Sequence, residues 1–165
     1  MGTFTERITH SKNNLEFLSQ VNEKINKRWD WQVTTCFYVA LHLINAHIVH
    51  KTNKNYLSHN QVSDIINPYS QLSVAKLDEE TYLSYTKLSQ LSRRARYLLN
   101  ENFKKEGITD IQPACITYDR HFRKSIHHLD NIINFINKTY NVDFDKNNLS
   151  CQELKGLNFV NFSIV

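Results

Sequence analysis

Phe122, Ile126, Leu129, Ile133, Ile136 and Tyr140 recur in alternating steps of four and three. An α-helix comes back to the same side about every 3.6 residues, so these large apolar groups fall on one line. A strand would scatter them over two faces. Such a seam needs partners of like geometry, which are other helices. It predicts a long last helix ending near Tyr140, with Pro113 placed as a first helical residue.

The remaining chain offers those partners. Thr3 and Glu6 have the spacing of a capping box, and Ile8, Leu15, Leu18 and Ile25 mark one face, widened by Phe17 and Val21. This predicts a first helix over 4–27. Asp30 reads as the N-cap of a second helix, from Trp31 to about His50, that is apolar on most sides and therefore central. Ser58 and Gln61 repeat the capping spacing before Val62, Ile65 and Ile66, and Pro68 stops that short helix. A loop over 69–77 leads to Asp78, the cap of a helix with Glu79 and Glu80 at its positive end. Leu88, Leu91, Ala95 and Leu98 carry its apolar face towards Asn102, and Gly107 breaks the pattern.

The 3 Gly and 2 Pro among 165 residues are few turn formers for a protein of many strands. With 41% hydrophobic and 22% charged residues, the composition is that of one ordinary folded domain. The expected fold is all-α: an antiparallel bundle of four to five helices over 1–140, followed by a tail over 141–165. The end of that tail, Leu157 to Val165, is rich in aromatic and β-branched residues. It either forms a strand or packs extended on the bundle or on a partner.

Several classes of function are disfavoured. The most apolar run, Val33 to Val49, holds His42, Asn45 and His47 and is too short and too polar for a membrane span. The first residues lack the apolar core of a secretory signal. Cys36, Cys115 and Cys151 are odd in number and far apart, which speaks against a disulfide framework and for the cytoplasm. No Cys/His spacing resembles a zinc site, and Asp143 and Asp145 lack the Gly and closing Glu of a calcium loop. No metal, cofactor or membrane partner is expected. Net charge is +4 and the pI is near 8.9, so the placement of the charges matters more than their sum.

Three blocks carry a resemblance. The first is Trp31 through Ala46, with Thr35, Phe37-Tyr38, Ala40-Leu41-His42 and Ala46. The second is Ser58-His59. The third is Tyr85, Leu88, Leu91-Ser92 and Ala95-Arg96-Tyr97. In this order, and with the last helix, they resemble the HEPN superfamily over roughly residues 29–136. The resemblance implies a helical bundle, frequent homodimers, and association with RNA or with nucleotide-linked defence systems. Active members carry an Arg, four to six residues and a His on a late helix, and cleave RNA without a metal as dimers. Others lack the motif and serve as non-catalytic modules binding a protein or a nucleotide.

On that pattern the last helix offers Arg120 and His127, separated by six residues, with Arg123 one turn before His127. Seven positions bring a helix back to within about 20° of the same face. Arg123 and His128 have the four-residue spacing but stand about 140° apart on an ideal helix, so Arg120, Arg123 and His127 are the expected catalytic set. An imidazole takes and gives protons near neutrality, and a guanidinium holds phosphate with a fork of donors. Here His121 follows Arg120, where the family most often has Asn. The same residues also fit a solvated face or a dimer contact, and these readings stand beside catalysis.

Arg93, Arg94 and Arg96, with Lys104 and Lys105, form a second basic cluster, and Lys124, His128 and Asn131 extend the stripe. These are the expected RNA contacts, with a solvated helix end as the other reading. Arg96 also suits an ion pair with Glu79, Glu80 or Asp119. His42 is expected in the core, His59 in the core or a cleft, and Trp29 and Trp31 as packing anchors.

Overall fold

The computed structural model describes residues 2–25, 27–55, 58–103 and 109–165, and among these the chain forms five α-helices and two small two-stranded sheets. Lys104, Lys105 and Gly107 lie outside the described residues, as does the side chain of His59.

Helix α1 spans Phe4–Lys24 and starts at the expected capping box: the Thr3 N–H donates to Glu6 Oε2 at 2.7 Å, and the Glu6 N–H to Thr3 Oγ1 at 3.2 Å. Ile8, Leu15, Leu18 and Val21 are buried, whereas Phe17 and Ile25 are exposed, the latter beyond the helix end. Helix α2 spans Trp29–Thr52 and is capped by Arg28, not Asp30. The Arg28 carbonyl already accepts the Gln32 N–H, so Asp30 falls in the first turn and pairs with Arg28 at 3.1 Å. Trp29 packs against Phe122, with ring centroids 5.5 Å apart, but Trp31 points outward and anchors nothing in the core.

Helix α3, His59–Ile66, has the second capping box at Ser58 and Gln61. Backbone bonds from Ala75 to Ile65 and from Leu77 to Ile66 hold the following loop against it. Helix α4, Glu79–Tyr97, begins where Asp78 accepts the Thr81 N–H at 2.8 Å. It ends five residues earlier than its pattern suggests. Leu98 adopts a left-handed backbone, φ 53°, and turns the chain into strand β1, Leu99–Phe103. Strand β2, Thr109–Pro113, pairs antiparallel with it, with Leu99 opposite Pro113. Pro113 therefore closes a hairpin and does not open a helix. A proline is tolerated at such a margin because no ladder donor is required of it there.

Helix α5 spans Asp119–Tyr140 and keeps its seam: Phe122, Ile126, Leu129, Ile133 and Ile136 are fully buried. The most apolar helix, α2, touches α1, α4 and α5 and forms the centre. It is long and apolar enough to cross a bilayer by length alone, yet most of it is enclosed by its neighbours. Its buried His47 has both ring nitrogens occupied, Nδ1 by the Tyr140 hydroxyl at 2.7 Å and Nε2 by the Ala75 carbonyl at 3.1 Å. His42 is only half-buried, stacked on His10 at 4.0 Å and beside Arg7. Burial, reinforced by those neighbours, pushes its pKa down to about 4.

The tail does not hang free. Strands β3, Asn147–Leu149, and β4, Phe162–Ile164, pair parallel, with a short 3-10 turn at Gln152–Leu154 between them. Leu149, Leu154 and Phe162 join the core. Polar bonds fix the attachment at two places. Asn22 of α1 accepts the Ser150 N–H at 2.6 Å and donates to the Ser150 carbonyl. The buried Asp130 carboxylate of α5 accepts the Val160 N–H at 3.1 Å, the Asn161 N–H at 2.9 Å and the Asn161 side-chain amide at 2.8 Å. A buried carboxylate is stable only when donors surround it, so this knot fixes where the tail runs.

Candidate functional site

The path of the tail creates a groove beside α5 of about 350 Å³. Arg123, Lys124, His127 and His128 form one wall, and Leu157, Asn158 and Phe159 form the other. The first wall follows from helix geometry, since these residues lie next to the buried seam. The second exists because Asp130 holds the backbone just after it.

Within the groove the His127 ring is exposed. Arg123 is half-exposed and lies 3.9 Å from Glu153, beyond hydrogen-bond reach. Its Nε is closed off from solvent and has no hydrogen-bond partner among the described residues, so the part of the side chain open to the groove is the rest of the guanidinium. His128 turns the other way: Nδ1 lies 3.4 Å from the Ser84 hydroxyl of α4, which also receives the Asn131 amide at 3.3 Å. Burial first, then the neighbouring His127, Lys87 and Lys124 charges, push the His128 pKa down to about 4, so it is neutral at pH 7. Its ring meets that of His127 edge-on at 5.4 Å. Arg123 and His128 thus share the groove even though ideal helix angles set them far apart.

Arg120 is not in the groove. Its guanidinium lies 5.5 Å over the Tyr118 ring, at the N-terminal end of α5. The expected trio is therefore divided within one chain, Arg123 and His127 inside the groove and Arg120 outside it. Asn131 is likewise turned to α4 and serves the helix contact.

Arg120 belongs to a basic shelf above the groove. Arg94 donates to the Cys115 carbonyl at 2.9 Å and to its sulfur at 3.0 Å. That bond, with smaller help from Arg120, holds the exposed Cys115 thiol below its usual pKa. His121 sits between, its Nδ1 accepting the Tyr118 N–H at 2.9 Å. Burial and the charges of Arg94, Arg120 and Lys124 push its pKa down to about 4. Lys124 lines the groove and is also one of the charges that act on His121. Arg96 stays apart, with Nε 3.4 Å from the Ser92 carbonyl and its head over Tyr97. Among the described residues no ion pair joins it to Glu79, Glu80 or Asp119. Arg93 is exposed on α4.

The segment from Leu157 was expected to form a strand or pack on the bundle or a partner, and it lies along α5; that it forms a groove wall, that Cys115 meets Arg94 and that Asp130 ties the tail down were not expected. Asp130 stands within the basic stripe, one position from the Leu129 of the seam, and a buried acid there was the one available hint of a docked segment.

Among the described residues, no group of three or more His, Cys, Asp or Glu is placed to hold a metal ion. The arrangement suits an anion with an apolar neighbour: two cations, an exposed imidazole and a wall with Leu157 and Phe159. No protein-family model matches the chain, and comparisons with curated proteins and with solved structures return no similar protein.

Proposed function

We propose that the protein is a HEPN-like, RNA-directed bundle of toxin or defence type, and that it cleaves RNA as a homodimer without a metal. One observation carries this reading: Arg123, Lys124 and an exposed His127 share one groove. In the reaction His127 takes the proton of a ribose 2′-OH, and the 2′ oxygen attacks the adjacent phosphorus. The bond to the 5′ oxygen breaks, and a second acid protonates that oxygen, leaving a 2′,3′-cyclic phosphate and a 5′-OH. Arg123 and Lys124 hold the phosphate as charge builds on it.

The second acid points to a dimer. Within one chain His128 Nδ1 faces the Ser84 hydroxyl and His121 Nδ1 accepts the Tyr118 N–H, and we assign the second acid to the partner subunit's His127. The test is a single-stranded RNA oligonucleotide incubated with the purified protein in excess chelator. Cleavage to the cyclic phosphate is expected, and His127→Ala should lower its rate about 100-fold or more while leaving the melting temperature unchanged. Intact RNA, or cleavage indifferent to His127→Ala, overturns the proposal.

A second reading is a non-catalytic module for a protein or a nucleotide. The apolar wall at Leu157 and Phe159 favours it, since such a wall receives a base or a side chain whether or not a bond is broken. Tight nucleotide binding without turnover would establish this reading in place of the first.

A further inference from the structure

Leu157, Asn158 and Phe159 line a second depression as well, on the side away from α5. It is larger, about 570 Å³, and Lys146 and Lys155 stand at its margin with Phe162 and Ile164 below. Both lysines are exposed, and among the described residues neither has an ion-pair partner. The three-residue segment is therefore a ridge between two basic hollows. Each hollow has an apolar patch beside its charges.

We propose that the tail carries a second phosphate subsite at Lys146 and Lys155, and that one strand of RNA crosses the ridge from it into the α5 groove. This rests on the reading of the groove as an RNA site. The two hollows share all three residues and so adjoin across the width of one chain, which a strand of a few nucleotides crosses. A duplex is too stiff and too wide to bend over so narrow a crest, whereas a single strand turns freely at its phosphates. Phe159, half-buried and edge-on to Phe162 at 6.3 Å, offers one ring face to a base on the crest. The tail thus sets the length and strandedness of the ligand, and the α5 groove sets its chemistry.

The experiment compares fluorescent RNA dinucleotide and hexanucleotide on His127→Ala protein, which keeps the probe intact, with and without Lys146→Ala plus Lys155→Ala. The hexanucleotide is expected to bind at least tenfold more tightly than the dinucleotide when both lysines are present. Without them that gain should shrink to threefold or less, and the salt slope for the hexanucleotide should flatten by up to about 1.4, two phosphates at roughly 0.7 each. An unchanged gain in the lysine variant overturns the subsite and leaves the groove reading intact. Failure of both probes to bind when both lysines are present overturns both. Circular dichroism of the variant confirms that it is folded, and a blunt RNA duplex of a dozen base pairs should bind no better than the dinucleotide.

Discussion

The two sides of α5 obey different rules. On one side five large apolar residues are sealed against α2 and α4, and any change of volume is felt by every neighbour. On the other side Arg123, Lys124 and His127 meet solvent and a wall made by a distant segment, where Phe159 alone is packed against the core. A single helix can thus divide stability from chemistry, with Ser84 and Asp130 marking the border where polar groups still hold structure.

Three substitutions test that division. The largest effect belongs to the seam: Ile133→Ala should cost about 2–5 kcal/mol of unfolding free energy, read by denaturant titration, because it opens a cavity in a fully buried site. A loss below 1 kcal/mol would mean that the seam is not the core. The border comes next. Asp130→Ala strands three N–H donors of Val160 and Asn161 and should cost about 1–3 kcal/mol. Hydrogen exchange at those two amides should accelerate while exchange in α2 is little changed. Equal acceleration everywhere would show that the tail is part of the cooperative core and not an attached wall. The open side should respond least: Glu153→Gln removes a half-exposed partner 3.9 Å from Arg123 and should shift stability by under about 0.5 kcal/mol. RNA affinity should rise slightly, read by fluorescence anisotropy, and a fall would indicate that Glu153 positions Arg123.

The helices with periodic seams or capping pairs were legible from the chain alone, because those signals are local. Thr3 with Glu6, Ser58 with Gln61, and Asp78 start helices at the expected places. Local signals also account for the errors. Arg96 to Asn102 reads as helix by composition, but Leu98 takes a left-handed backbone that no motif announces, and a hairpin follows. Pro113 suits a helix start and a strand end equally well. The stripe on α5 was visible as spacing, and Arg123, Lys124 and His127 do come together. The exclusion of Arg120 was not visible, because it depends on Tyr118 and the turn before the helix. The tail wall was hidden for a further reason: Asp130 meets partners thirty and thirty-one positions later, and no periodicity links them.

That separation also has a consequence in time. A ribosome extends a chain at about 5–20 residues per second, so roughly 1.5 to 6 seconds pass between the addition of Asp130 and that of Val160. Through that interval the stripe of α5 has been made and its opposite wall has not. The groove is therefore completed only when a later-made segment finds a carboxylate that has been waiting for it.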